Sequence, residues 1–308
     1  MKILIICSKN SGKIAPFIVE QVEALMKSGL ICDYYTIEGK GLKGYLKNRS
    51  SFVKKISEFQ PDLIHAHYGL SGLLANTQRK IPVVTTYHGS DINLQSIYFL
   101  SRINMFLSAY NIFVSQKNID KSNQKRNFAL IPCGVDTDFF FPMEKSIVRK
   151  YFGLKTNEKV VLFAGAFSNR VKNGELAQQA VAMLTNVRLL ELKGYNRSEV
   201  ALLMNAVDIC LMTSHTEGSP QFIKEAMASN CPVVSVPVGD VPEVIDGLEG
   251  CFLSNYDAIE LSKKIKLALD FGKKTKGRER ILELSLDAKM IAEMISNVYK
   301  LVLFKSKN

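Results

Sequence analysis

The amino-acid sequence predicts an α/β fold of two doubly wound, parallel-sheet domains, and three observations carry that expectation. Two buried-strand signals, KILIIC at residues 2–7 and KVVLFAG at 159–165, each run into a polar loop and then a helical pattern. Short β-branched runs alternate with helical stretches through both halves, the pattern of parallel sheets covered on both faces. A chain of 308 residues also divides more comfortably between two cores than it fills one.

In the first half, the loop SKNSGK leads to a helix on which Ile18, Val22, Leu25 and Met26 share a face, with Gly29 as its stop. Further strands are expected at 62–66 (DLIHA), 81–87 (IPVVTTY) and 111–115 (NIFVS). The seam falls at residues 131–142, IPCGVDTDFFFP, where Gly134 and Pro142 punctuate the chain and Asp136 is placed to cap a helical turn. In the second half, the loop AFSNRVKNG precedes a helix over 176–184, and strands follow near 187–192, 207–213 and 232–236. A last helix, about 285–304, aligns Met290, Ile291, Met294, Ile295 and Val298 and is expected to cross back to the first domain. The expected division is residues 1–140 joined by 287–308, and residues 141–286.

Composition narrows the function. With 47% hydrophobic and 22% charged residues the chain is an ordinary globular protein, not a disordered one. Nothing approaches the roughly 18 uninterrupted apolar residues of a spanning helix, so a cytoplasmic protein is expected. The run MKILIIC is read as a strand instead of a secretory leader, because Lys9, Asn10 and Lys13 follow at once. Six cysteines without metal-ligand spacing read as small buried hydrophobes in a reducing compartment. Net charge is +11, with 20 Lys+Arg against 11 Asp+Glu in residues 1–150 and 20 against 18 in the remainder. A basic half suits an anionic partner: nucleic acid, an anionic membrane surface or a phosphorylated lipid acceptor. No aromatic-and-basic stacking platform accompanies it, which argues against nucleic acid. Residues 42–59 interleave Lys43, Lys47, Arg49, Lys54 and Lys55 with Leu46, Phe52, Val53, Ile56 and Phe59. That pattern fits basic amphipathic turns resting on the inner face of a membrane, and equally a sheet-packed helix with a charged outer face.

Ligands of open parallel sheets bind beyond the carboxyl ends of the strands. Four loops at such positions are unusually polar, and the four histidines lie in three of them. The most informative is residues 213–225, TSHTEGSPQFIKE. Ser219 is a good N-cap and Pro220 a good first helical residue, so a helix is expected to begin at Ser219. Gly218 lets amides approach a ligand, and free amides at a helix start bind phosphate. Glu225, about 9 Å further along the axis, suits the ribose end of a nucleoside diphosphate. Glu217, before the helix, falls on the sugar side. The pair Glu191/Glu199 repeats the same spacing without this context and reads as a decoy.

These residues resemble the Glu-x7-Glu signature of the retaining family 4 glycosyltransferases of group 1. SKNSGKIAPFIVEQVEALMKSG, PDLIHAHYGLSGLLA, VVTTYHGSDI, IPCGVDTDFFFP and PVVSVPVGDVPEVIDGLEGCFL resemble further motifs of that family in order, from residue 1 to about 255. The resemblance implies the GT-B fold, two Rossmann-like domains facing each other across a cleft, and a hexosyltransferase of cell-surface polysaccharide synthesis. It implies a nucleotide diphosphate sugar as donor, UDP-sugar by default, and a glycan or lipid-linked acceptor, with no metal or other cofactor. Glu225 then binds the donor ribose, Gly218 and Ser219 the pyrophosphate, with Pro220 also in the donor-binding set, and Glu217 the transferred sugar. Lys172 matches the lysine of the pair that neutralises the leaving diphosphate. The usual arginine of that pair is absent, since Ala166 stands there, and Arg170 is the nearest substitute. His88 matches the histidine facing the sugar, with Asp91 orienting its loop; Gly12 lets its loop sit near the diphosphate. His67 and Tyr68 belong to the acceptor side. Asp136-Thr137-Asp138 has the form of a metal-binding triplet but lies in the linker, where capping is expected. Two alternatives share the architecture: a non-hydrolysing sugar-nucleotide epimerase, and a catalytically silent nucleotide-binding subunit.

Overall fold

An apolar run with no polar alternation must be covered on both faces, and two such runs organise the two halves of this protein. A computed structural model describes residues 1–307. The chain divides into one unit of Met1–Gly134 joined by the residues from Ala288 onward, and a second of Val135–Asp287.

In the first unit, Lys2–Ser8 (β1), Ile31–Ile37 (β2), Leu63–His67 (β3), Val83–Tyr87 (β4), Tyr110–Phe113 (β5) and Phe128–Leu130 (β6) form one sheet. Its order is β2-β1-β3-β4-β5-β6, and every pairing is parallel. β1 is central, which is why Ile3 to Cys7 are fully buried. Helix Pro16–Lys27 starts on Pro16, and its Ile18, Val22 and Leu25 join the carboxy-terminal helix Ala288–Lys307 in one core. From that helix Ile291, Ile295, Val298 and Tyr299 face the sheet. Tyr299 adds a polar tie: its hydroxyl lies 2.6 Å from His65 Nδ1 in the sheet centre.

In the second unit, Lys159–Phe163 (β7), Val187–Glu191 (β8), Ile209–Met212 (β9), Val233–Ser235 (β10) and Phe252–Leu253 (β11) are ordered β11-β10-β9-β7-β8, again all parallel. Asp136 caps a turn as its carboxylate accepts from the amides of Asp138 and Phe139. All six cysteines are free, and burial pushes the Cys7 thiol up to about 11.

Each sheet has one place where the chain reverses its direction of growth. In the first unit it lies between β1 and β3, in the second between β7 and β9. Loops leaving adjacent strands at such a point diverge to opposite faces and leave a crevice. The loops so placed are those after residues 8, 67, 163 and 212, which carry Gly12, Tyr68, Lys172 and Glu217.

The amphipathic stretch at 42–59 takes the sheet-packed arrangement. It forms helices Gly41–Leu46 and Arg49–Phe59, in which Phe52 is fully buried and Ile56 and Phe59 pack on the core around Leu4 and Ile64. Most of its apolar side therefore serves the fold.

The Tyr299 tie is testable. Tyr299→Phe leaves His65 Nδ1 buried without its hydroxyl partner, a loss of about 1–2 kcal/mol in urea unfolding. An unchanged midpoint would show that this contact carries no stability.

Candidate active site

On the second unit, Gly165 follows two residues after β7, and an added Cβ there would lie 3.1 Å from Lys172 Cγ, so glycine gives the lysine side chain room to fold back near the strand end. The chain then makes a single 3₁₀ turn, Arg170–Lys172. Two contacts fasten this turn to the loop after β9. Thr213 Oγ1 is shared between the carbonyl oxygens of Lys172 and Asn173, at 2.9 and 2.8 Å. His215 N donates to the Val171 carbonyl at 2.9 Å. Lys172 Nζ is thereby brought 2.7 Å from Glu217 Oε1, joining residues 45 apart in sequence. Arg170 stands exposed at the start of the same turn, while its neighbour Lys172 makes the ion pair. Ala166 supplies only its carbonyl, which accepts from Asn169 N.

The helix after this loop starts later than expected. It is Gln221–Ala228, with Pro220 in extended conformation before it, and no side chain caps it. Ser219 does not cap because its hydroxyl is used elsewhere: it lies 2.6 Å from Asp240 Oδ2 and receives a hydrogen bond from Lys224 Nζ. Lys224 is completely buried and pairs with Asp240 at 2.7 Å. A charge taken out of water survives only when paired, so Lys224, Asp240 and Ser219 act as one unit that fixes the turn. Gly239 makes this approach possible, since at φ +56 a Cβ there would strike the Gly218 carbonyl. With the hydroxyl turned inward, what Gly218 and Ser219 can offer an anion is their backbone.

Glu225 is the fifth residue of the helix, about 6 Å along its axis from Gln221 at 1.5 Å per residue. Its carboxylate, 5% exposed, receives Arg197 Nη1 at 2.6 Å. Arg197 lies in turn over the Phe140 ring at 4.4 Å. Sequence reasoning missed Arg197, Lys224 and Asp240. The one available signal was a lysine among apolar neighbours in a buried helix, which requires an acidic partner. The decoy pair has structural duties: Glu199 forms a capping box with Asn196, and Glu191 accepts from Phe167 N at 2.8 Å.

On the first unit the structure gathers His67, Tyr68 and His88. His65, His67 and His88 form a row of stacked imidazoles, with centroids 4.6 and 5.2 Å apart. His67 Nδ1 lies 3.0 Å from His88 Nε2, and His88 Nδ1 lies 3.8 Å from Cys133 Sγ. Phe17 and Tyr68 flank the half-buried His88 ring at 4.8 and 4.7 Å. Tyr68 holds φ +72, a conformation costly for a bulky residue. Asp91 does orient the loop: Oδ1 accepts from His88 N and Gly89 N, and Oδ2 from Gly69 N. Burial nevertheless raises its carboxyl to about 7, against the lowering effect of these amides. Gly12 adopts φ +87 in a turn closed by its amide on the Lys9 carbonyl.

Burial holds all three imidazoles neutral, pushing His67 down to about 3. The unfolded chain protonates near pH 6.5 while the folded one does not, so stability is complete above that pH and falls as pH drops toward 3. At pH 5.5 the His67 imidazole costs about 1.4 kcal/mol relative to pH 7.5. Urea unfolding of His67→Gln is expected to lose about that much less than wild type between the two pH values. Parallel losses would remove His67 from the account.

A model described as glycosyl transferases group 1 matches residues 157–270, and one described as glycosyltransferase family 4 matches residues 31–139. The D-inositol 3-phosphate glycosyltransferase of Mycobacterium marinum is 25% identical over 248 residues, 64% of this chain and 53% of the relative. The Bacillus subtilis protein named "Putative teichuronic acid biosynthesis glycosyltransferase TuaC" is 25% identical over 241 residues, 68% of this chain and 62% of the relative. The chain thus spans between half and two thirds of the length of these curated relatives. Among solved structures, sucrose-phosphate synthase from Thermosynechococcus elongatus has a TM-score of 0.86 at 19% identity, over 99% of both chains. Anabaena HepE, solved with UDP and glucose, has a TM-score of 0.76 at 18% identity, over 97% of this chain and 99% of that one. The chain thus carries a glycosyltransferase family 4 domain on its first sheet and a glycosyl transferases group 1 domain on its second, in the fold of GT-B glycosyltransferases.

Proposed function

We propose that this protein is a retaining hexosyltransferase that moves a hexose from a nucleotide diphosphate sugar, UDP-sugar by default, to a hydroxyl of a glycan or lipid-linked acceptor. The observation that carries the reading is the Lys172–Glu217 pair, set beside the start of helix Gln221–Ala228 at the switch point of the second sheet. A cation and a row of helix-start amides converge there, and Glu225 follows on the same helix. The diphosphate lies against the amides of Gly218 and Ser219, and the ribose hydroxyls bond to Glu225.

In the reaction the bond between the anomeric carbon and the diphosphate breaks, and the acceptor oxygen bonds to that carbon on the same face. The acceptor proton passes to the departing phosphate. Negative charge grows on the diphosphate as the bond stretches, so Lys172 and the helix start favour the transition state over the bound donor. Glu217 holds Lys172 in place beforehand; when the diphosphate takes that cation, the carboxylate is released to the hydroxyls of the hexose. No metal or other cofactor enters this scheme. Arg170 is near enough in sequence to add a second cation. His88, with His67 and Tyr68 behind it, serves the sugar and acceptor side of the first unit.

The relatives supply context for the finer points. One carries teichuronic acid biosynthesis in its name, and Anabaena HepE has been solved with UDP-glucose. We place this protein likewise in the synthesis of a cell-surface polysaccharide, at the cytoplasmic side of a membrane. No helix among the described residues is long and apolar enough to cross a membrane, so attachment is peripheral in this reading.

UDP release from a panel of UDP-sugars, with and without an acceptor glycan or lipid, tests the reading: release should require the acceptor. An epimerase would consume donor without freeing UDP, and a silent subunit would release none. Lys172→Ala should lower turnover about 10²–10³-fold. Glu217→Gln should cut sugar transfer at least about tenfold yet leave UDP affinity equal or tighter, because it removes the competing carboxylate. Weakened UDP binding in Glu217→Gln would contradict its placement on the sugar.

A further inference from the structure

Helix Gln95–Leu107 turns a partly polar face inward and large apolar side chains outward. The face it turns to the protein carries Ser101, Asn104 and Met105, all buried. The face it turns to solvent carries Phe99, 69% exposed, Ile103, 38%, and Phe106, 88%. These three recur at i, i+4 and i+7, so they form one stripe.

The polar face is not an accident of poor packing. Asn104 Nδ2 donates to Tyr87 OH at 2.8 Å and Thr85 Oγ1 at 3.1 Å, and Asn104 Oδ1 accepts from Asn76 at 2.9 Å. The helix is drawn against helix Gly69–Ala75, where an added Cβ at Gly69 or Gly72 would overlap Ser101 or Asn104. A closely fitted, hydrogen-bonded polar seam fixes which side faces out. Two phenylalanines are thus held in water by design of the inner face, at a cost that an apolar phase would relieve.

Charge identifies that phase. The first unit, residues 1–134 with 288–308, holds 21 Lys+Arg against 9 Asp+Glu, a net of +12; the second holds 19 against 20, a net of −1. The entire basic excess sits on the unit that displays the stripe, and Arg102 lies exposed beside it. A second copy of so basic a unit would be repelled, whereas anionic head groups would be attracted.

We propose that helix Gln95–Leu107 is the membrane-seating element of this protein, lying in the interface of an anionic lipid surface with Phe99 and Phe106 in the acyl region and Arg102 at the phosphates. The proposal deepens the peripheral attachment proposed above and rests on it. It also moves the contact from residues 42–59, whose apolar side is largely spent on the sheet, to a helix that begins four residues after Asp91. The loop that carries His88 is thereby tied to the lipid plane in which a lipid-linked acceptor would sit.

The chain contains no tryptophan, so Phe106→Trp places a single fluorophore on the stripe of the full-length protein. Vesicles of phosphatidylglycerol with phosphatidylcholine should shift its emission to the blue, and brominated acyl chains should quench it. Ile259→Trp, on the second unit, should stay unshifted. Phe99→Ser with Phe106→Ser should weaken vesicle partitioning by about tenfold per side chain, with Tm and UDP binding unchanged. Protein that floats with vesicles while the indole of Phe106→Trp stays unquenched would overturn this helix as the seat and leave membrane attachment standing. Absence of flotation at physiological salt would overturn both, without touching sugar transfer, which UDP release measures separately. A blue shift that needs no vesicles and grows with protein concentration would assign the stripe to self-association instead.

Discussion

A wholly buried lysine is the constraint around which the turn ahead of helix Gln221–Ala228 is arranged. Lys224 has no water to solvate it, so it must hold a carboxylate, and the one it holds, Asp240, comes from the loop after β10. That pairing captures the Ser219 hydroxyl, requires glycine at 239, and draws the turn before helix Gln221–Ala228 tight against its neighbour. The turn's amides are then fixed before any ligand arrives. Preorganised donors are worth more than flexible ones because nothing needs to reorient as charge develops. The 3₁₀ turn bearing Lys172 is fastened to the same loop by Thr213, so the cation and the amides belong to one rigid assembly.

Sheet topology explains why chemistry collects there. β7 and β9 are neighbours although β8 lies between them in sequence, and the loops leaving them part to opposite faces. The first unit repeats the arrangement at β1 and β3, where the loops carry Gly12 and Tyr68. Two similar sheets therefore present two similar crevices, lined by different residues: the Lys172–Glu217 pair and a helix start on the second, neutral stacked imidazoles and aromatic rings on the first.

Much of this was legible in the sequence. β1 and β7 announced themselves because each is an unbroken apolar run buried on both faces. β2, ICDYYTI, did not, because an edge strand half exposed to water keeps Asp33 and two tyrosines. The loop 213–225 was legible through Gly218 and the two glutamates, yet its helix start was misplaced, since a serine before a proline is a good cap unless its hydroxyl is claimed from elsewhere. The claimant, Asp240, is 21 residues away, and the arginine on Glu225 is 28 away. Pairings of that range follow from tertiary packing and leave no local pattern. The outward Phe99 and Phe106 were hidden for the opposite reason. In QSIYFLSRINMFL the apolar spacing is ordinary, and only the polar seam with Asn76 and Tyr87 reveals which side is inside.

The central claim is that the turn ahead of Gln221 receives a diphosphate while Glu225 takes the pentose. A crystal structure of the protein grown with excess UDP-glucose addresses it directly. Phosphate density within hydrogen-bonding reach of the Gly218 and Ser219 amides, with ribose on the Glu225 carboxylate, is the predicted result. Nucleotide density elsewhere, with Lys172 still closed on Glu217 and the turn bare, would contradict it.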